Sequence, residues 1–312
     1  MIRSYDLAFA WSWEFDADFA RLLKRACDAQ KLSLLEITPR TLPETIASLE
    51  NGIISFHALF DRAWDEDAAF RALGMWAPEH GARMLNDAAS AERSWDKTAM
   101  HEACAAAGLP VRPTIILPPL DAAPDFPTPD LTTFGPRWVM KPAHGGGGNG
   151  VRLNLSRWEE IKEIRREFPR DAYLLHPYLT PRETEQGPLW FRMLHVFGDI
   201  LPFWWNPETH RYRPLIPTDE ERYGLTPLRA MTKTVARLSG LELFSTEIAA
   251  DAESSAFFIM DYVNDPMDLR LQTRVPDGVP DDVVYIIAER VAQWAKKTLY
   301  HAPQSRNDHS RH

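Results

Sequence analysis

Along the first ninety residues, short apolar runs alternate with stretches whose apolar positions recur every three to four residues. Residues 4–11 read as a strand. "DADFARLLKRACDAQ" (16–30) follows with helical periodicity and carries Asp16 and Asp18 as candidate caps. "LSLLEI" (32–37), "GIISFHALF" (52–60) and "ARMLND" (82–87) read as further strands. "LPETIASLEN" (42–51) and "DEDAAFRALGMWA" (65–77) read as the helices between them. Strand and helix alternating at this spacing predict a parallel sheet built by right-handed crossovers.

The pattern then changes. "SWDKTAMHEACAAAGLPVRPTIIL" (94–117) reads helix, stop, strand, with Ser94 as expected N-cap, Gly108 at the C′ position and Pro110 and Pro113 beyond it. Residues 118–136 are rich in proline and aspartate and read as loop. From 137 onward seven runs have strand character: "RWVMK", "VRLNL", "AYLLHPY", "LWFRMLHVFG", "ILPFWW", "LELFSTEIA" and "AFFIMDYV". Helices are expected from about Ser156, Pro227 and Asp281, the first with a capping-box spacing between Ser156 and Glu159. The expected organisation is an N-terminal α/β domain over 1–90, a central α+β subdomain over 91–180, a C-terminal one over 181–302 and a flexible tail over 303–312.

Composition narrows the class. The chain has 312 residues, 45% of them hydrophobic and 25% charged, with a net charge of −9. That balance is globular and argues against nucleic acid as a partner. Only Cys27 and Cys104 occur, both in expected helices, which leaves no disulfide framework or cysteine-rich zinc site and fits a reducing cytoplasm. No apolar run is long enough to span a bilayer, and Leu7–Trp13 reads as a buried strand, so no membrane partner is expected.

The sharpest local signal is "WVMKPAHGGGGNGVRL" (138–153). Gly145, Gly147 and Gly150 match the spacing of a dinucleotide fingerprint, but that fingerprint opens a helix, and here the strand "VRLNL" follows. A Walker loop needs Lys-Ser/Thr directly after its last glycine, where Val151 stands. What remains is a glycine-rich hairpin able to turn several backbone N–H groups toward phosphate oxygens, with Lys141 on the incoming strand adding a charge.

Taken with its surroundings, this loop resembles that of the ATP-grasp superfamily, and the resemblance runs from about residue 85 to 271. It is similar to ligases of the carboxylate–amine type, such as glutathione synthetase and D-alanine–D-alanine ligase. The implied fold is an N-terminal Rossmann-like domain followed by two mainly antiparallel sheets that hold the nucleotide between them. The implied cofactors are ATP and Mg²⁺ or Mn²⁺. In "SWDKTAMHEA" Lys97 matches the first phosphate lysine and Lys141 the second, with Gly146, Gly147, Gly148 and Asn149 as the loop over the phosphates. "YLLHPYL" resembles the hinge strand, which makes His176, Tyr178 and Leu179 adenine-side residues and Glu183 a ribose ligand. Arg192 in "LWFRMLHV" matches the arginine aimed at the transferred phosphate. Glu247, Asp261 and Asn264 match the metal ligands, although Asp261 and Asn264 stand one residue further apart than usual, so that either the strand bulges or Asp265 takes part. Catalytic weight thus falls on Arg192 and Lys141.

The resemblance implies a ligase that activates a carboxylate as an acylphosphate and joins it to an amine, on an amino-acid or peptide-like substrate, and it is compatible with a homodimer. A small-molecule kinase on the same scaffold and a non-catalytic ATP-binding protein are the competing classes. Candidate substrate contacts are Trp11, Trp13 and Glu14 after the first strand or Asp61 and Arg62 after the third, and either Arg211 or Arg213 in "ETHRYRPL" as a second positive group; Trp204 and Trp205 are candidates for an aromatic wall near Arg192. A core role for the tryptophans and a surface ion pair for Asp61–Arg62 are the competing readings.

Overall fold

The computed structural model describes residues 2–65 and 67–301. It divides into two compact units, one formed by residues 1–87 and 268–312 and the other by 88–267.

The first unit opens with strands β1 (Arg3–Tyr5) and β2 (Leu7–Ala10), helix α1 (Ala17–Ala29), β3 (Leu34–Ile37), α2 (Leu42–Glu50), β4 (Ile54–Phe56), β5 (Ala58–Asp61), α3 (Arg71–Glu79) and β6 (Arg83–Leu85). The sheet order β3-β2-β5-β6 is parallel throughout, as the alternation predicts. A separate parallel pair, β1 with β4, precedes β2 and β5 on the same two chain segments. Strands buried on both faces are apolar at every position, which is why Leu7, Ala8, Phe9 and Ala10 are all fully buried. Phe9, Phe19 and Phe60 pack edge-on or tilted, with centroids 5.4–6.1 Å apart.

The second unit begins with α4 (Ala88–Trp95) and α5 (Lys97–Ala106), then β7 (Ile115–Leu117), β8 (Trp138–Pro142), β9 (Arg152–Leu155), α6 (Trp158–Ile164) and β10 (Tyr173–Pro177). These four strands form an antiparallel sheet in the order β7-β10-β8-β9. Met140, Tyr173 and Leu175 on one face pack with Trp158, Ile161 and Ile164 of α6. After the two-residue strands β11 (Glu183–Thr184) and β12 (Gly187–Pro188) come β13 (Trp190–Val196), β14 (Asp199–Asn206), β15 (Arg211–Pro214), α7 (Pro217–Tyr223), α8 (Thr226–Ser239), β16 (Leu243–Ala250) and β17 (Phe257–Asn264). They build a second antiparallel sheet, β15-β14-β13-β16-β17. The isolated bridge Val111–Ile259 ties the segment after α5 to the edge of this sheet.

Helix α9 (Asp281–His301) packs on α1 in the first unit, burying Val284, Ile287, Ala288, Val291 and Ala295. This corrects the expectation that residues 181–302 form one C-terminal subdomain. Periodicity marks an amphipathic helix but not the surface that covers its apolar face. The tail over 303–312 lies outside the described residues.

Three expected caps move. Ser94 lies within α4, its hydroxyl bonded to the Ser90 carbonyl, and Asp96 caps α5 by accepting from the N–H groups of Thr98 and Ala99. At α6 it is Glu160, not Glu159, that reaches back to the N–H groups of Ser156 and Arg157. Asp16 stands at the N-cap of α1 without capping it, because its carboxylate is engaged elsewhere.

Candidate active site

Strand β8 and strand β9 are joined by the glycine hairpin, as the sequence predicts. Gly145, Gly147, Gly148 and Gly150 all have positive φ, between 61° and 110°, a region closed to most side chains. Gly150 has a second reason to be glycine: a Cβ there would lie 2.7 Å from Phe168 Cε2 and 3.0 Å from Pro142 Cγ. Gly146 and Asn149 close a turn through the Asn149 N–H and the Gly146 carbonyl (3.1 Å), leaving the tip exposed.

Both lysines sit at the base of this loop. Lys97, first residue of α5, donates from Nζ to the Gly145 carbonyl at 2.5 Å, and its own N–H reaches the Ala143 carbonyl. Lys141 donates from Nζ to the Met260 carbonyl of the other sheet at 2.7 Å. The two lysines, Arg112, Leu174, His176, Met260 and Asp261 are among the residues lining a narrow cleft. Burial pushes the Lys97 ammonium below the ordinary lysine range; Asp261 opposes that effect and the charge of Lys141 adds to it.

Asp261 also lines this cleft, and strand register sets it in a row with two other charges. Arg192 on β13 pairs with Glu247 on β16, and Glu247 pairs with Asp261 on β17. Residues directly opposite in antiparallel strands share a face, so arginine and both carboxylates point the same way. Arg192 is buried, donates to Ser245 Oγ (3.1 Å) and to Glu247, and lies 4.7 Å from the ring centroid of Trp205. Trp190 Nε1 donates to the other oxygen of Glu247 at 3.0 Å.

The spacing anomaly at Asp261 resolves as a bulge. Three residues of β16, Ser245 to Glu247, face four of β17, Asp261 to Asn264. The extra residue carries Asn264 back beside Asp261, where its Nδ2 donates to Asp261 Oδ2 at 3.1 Å. A second irregularity leaves Met260 without a counterpart in the ladder between Glu247 and Ile248, and its carbonyl is the one that accepts from Lys141.

Among the described residues no group of three or more His, Cys, Asp or Glu side chains gathers as a metal site. Two carboxylates and an amide form a sparse, all-oxygen donor set. Such a set suits Mg²⁺, which completes its shell with phosphate and water, and not zinc or copper.

Strands β8 and β10 floor the cleft. Val139, Lys141, Leu174 and His176 share the cleft face of the first sheet by register. His176 is buried, with Nδ1 3.2 Å from the Pro177 carbonyl, and burial drives its pKa down to about 3. Tyr178 and Leu179 follow directly, Tyr178 beneath the Arg137 guanidinium and Leu179 buried. Glu183 is exposed on β11. Arg112 is a cleft residue that sequence reasoning passed over. A cation inside the apolar run "LPVRPTIIL" is the signal that marks it.

Several expected substrate contacts are placed elsewhere. Arg213 pairs with Trp204, one residue out of phase with the Arg192–Phe203 pair, so both lie on the sheet face opposite Arg192. There Arg213 covers the Trp204 ring, and Trp204 Nε1 donates to Asp219. Only Trp205 belongs to a wall beside Arg192. Arg62 is not a surface residue: with 6% of its area exposed, it makes a two-pronged ion pair with Asp16 at 2.9 and 3.0 Å. Asp61 is buried too; one oxygen accepts from the Ala63 N–H and the other has no hydrogen-bond partner among the described residues. Burial raises its pKa to about 7. Neither is open to a ligand. Trp13 is half-buried with the Arg270 guanidinium 5.5 Å from its ring centroid, and Glu14 is exposed.

No family model matches the sequence, and no curated protein does. Solved structures do. The ligase PsnB, an ATP-grasp protein complexed with a minimal precursor, Mg and ADP, superposes with a TM-score of 0.62 at 15% identity over 95% of this chain and 98% of its own. A RimK-domain ATP-grasp protein from Sphaerobacter thermophilus gives 0.63 at 20% identity over 92% and 98%. D-alanine–D-alanine ligase from Bacillus anthracis, complexed with ATP, gives 0.64 at 12% identity over 96% and 98%. Agreement over nearly the whole of each chain establishes the ATP-grasp fold.

Proposed function

We propose that this ATP-grasp chain is an ATP- and Mg²⁺-dependent ligase that activates a carboxylate as an acylphosphate and joins it to an amine. The observation that carries the proposal is the in-register row Arg192–Glu247–Asp261, whose Asp261 lines the same cleft as Lys97 and Lys141. Fixed cations on both sides of a triphosphate neutralise charge that would repel an incoming carboxylate, and positioned charge is what such a transfer needs most. The structural neighbours support the class, and the precursor-bound PsnB complex supports a peptide as one substrate form.

In this reading Lys97 and Lys141 bind the phosphates, and the glycine hairpin closes over them with its N–H groups. Arg192, clamped by Ser245 and Glu247, holds its guanidinium toward the transferred phosphoryl group. Glu247, Asp261 and Asn264 would hold Mg²⁺, which supplies charge neutralisation at the phosphates. The substrate carboxylate oxygen attacks the γ-phosphorus and ADP leaves; the amine then adds to the acyl carbon and phosphate departs. With no general base assigned, the enzyme contributes positioning and charge.

The test is phosphate release from ATP and Mg²⁺ across a panel of amino acids, peptides and hydroxy acids, with hydroxylamine present. A hydroxamate product marks the acylphosphate and is the expected result. A stable phosphorylated product without hydroxamate overturns the ligase in favour of a kinase. Tight ATP binding without turnover on any panel member overturns catalysis.

A further inference from the structure

Helix α5 opens with Lys97 and carries His101 one turn later, and residues four apart share a helix face. The proposed function assigns Lys97 to the phosphates and gives His101 no part. His101 is buried, and its Nδ1 is hydrogen-bonded to the Tyr262 hydroxyl of β17 at 2.7 Å. The two rings meet edge to face, with centroids 6.0 Å apart. Tyr262 is buried as well and directly follows Asp261.

Tyr262 stands in the bulge of β17. Thr246, between Ser245 and Glu247, faces two residues there, Tyr262 and Val263, so ladder pairing alone does not fix where they sit. Two side-chain bonds do. Thr246 Oγ1 donates to the Asp261 carbonyl at 2.7 Å from within the sheet, and His101 holds the Tyr262 hydroxyl from α5. The segment bearing the Asp261 carboxylate is thus pinned from the sheet and from the helix. Lys97 of that same helix lines the same cleft as Asp261, and the Asp261 charge acts on its ammonium.

We propose that His101 and Tyr262 are positioning residues whose bond fixes the bulge of β17 against α5, and with it the Asp261 carboxylate relative to the Lys97 ammonium. The inference rests on the assignment of Asp261 to Mg²⁺ and of Lys97 to phosphate. A carboxylate already held in place binds a metal without first being ordered, and the groups that orient a ligand tune the affinity of its site. The bond should therefore show in how strongly Mg²⁺ tightens ATP binding. A bond that served packing alone would change stability and leave that dependence untouched.

The test is equilibrium binding of ATP, in excess Mg²⁺ and in EDTA, beside denaturant unfolding. It uses the full chain and its His101→Phe, Tyr262→Phe and doubly substituted variants. The readout is the ratio of the Kd in EDTA to the Kd in Mg²⁺, taken within each variant so that a general loss of affinity cancels. Each single variant is expected to lower the wild-type ratio by about tenfold, with the affinity in EDTA, which the lysines set, near the wild-type value. Each also leaves one buried polar partner unpaired and should lose stability, whereas the double variant leaves neither unpaired and should regain most of it. The ratio of the double variant should nonetheless stay as low as that of the single ones, because both act on one bond. His101→Gln keeps a hydrogen-bonding amide toward the hydroxyl and is expected to hold a ratio closer to that of the wild type. A wild-type ratio in either single variant, or a ratio that recovers with stability in the double variant, overturns the positioning role and leaves the Mg²⁺ site standing. A wild type that binds ATP equally in Mg²⁺ and EDTA overturns the metal assignment, and one that binds no ATP overturns the nucleotide reading; either result removes this inference with it.

Discussion

Lys141 and Asp61 show how differently two lone ionisable residues must be read. Lys141 sits on a strand whose cleft face is otherwise built from Val139, Leu174 and His176, and its ammonium is held by one carbonyl of the opposite sheet. On the proposed function, replacing it with alanine removes a phosphate contact and little packing. Lys141→Ala should therefore weaken ATP binding by tenfold or more, with a melting temperature near that of the wild type. Calorimetric titration beside thermal unfolding checks both halves. Asp61 is instead a buried carboxyl whose pKa rises from 3.8 to about 7, chiefly by burial and against the Ala63 and Trp64 N–H bonds that favour its charged form. The folded state thus holds a proton that the unfolded state releases. Stability linked to that proton is fully present below about pH 4 and is lost as pH rises toward 7, by about 4 kcal/mol in all. Asp61→Asn keeps the acceptor for Ala63 and has no such slope. Denaturant unfolding at pH 5 and pH 8 should show the variant gaining on the wild type at the higher pH, and parallel profiles would contradict the buried, protonated state.

At the scale of elements, the glycine hairpin and the bulged strand β17 place the chemistry. The hairpin's glycines are not equivalent. At Gly147 a Cβ meets nothing within 4 Å, so alanine bears only the cost of positive φ, about 1–2 kcal/mol. At Gly150 the same φ strain adds to a collision with Phe168 and Pro142. Gly150→Ala should consequently destabilise the protein by roughly 1–3 kcal/mol more than Gly147→Ala, measured by denaturant unfolding of the two variants. The alternation of apolar and polar residues reveals that "AFFIMDYV" is a strand, and the parity of Glu247 and Asp261 admits a shared face. The alternation does not reveal the two bulges, because an extra residue in a ladder is visible only against its partner strand. Those bulges return Asn264 to Asp261 and present the Met260 carbonyl to Lys141.

For the molecule as a whole, each residue assigned to phosphate, base or metal lies within 88–267, the compact unit that excludes the parallel sheet. Nucleotide binding should therefore slow amide exchange mainly in β8–β10, the glycine hairpin, β16 and β17, and much less in β2, β3 and β5. Hydrogen exchange followed by mass spectrometry with and without ATP and Mg²⁺ measures this, and protection of equal size in β2 and β5 would argue against a site confined to the second unit.

Local chemistry and periodicity are legible in one dimension, which is why sequence alone determined the parallel α/β start, the antiparallel remainder and the glycine hairpin between two strands. Each of these depends on a residue's own type and its near neighbours. Tertiary structure decided whatever depends on partners distant along the chain. It buried Arg62 against Asp16, turned Arg213 away from Arg192, sent α9 back to α1, and set Arg112 over Phe258 in the wall of the cleft. A side chain's charge is written in the sequence, whereas whether that charge meets a ligand, a counter-ion or a buried wall is set by strand register and packing.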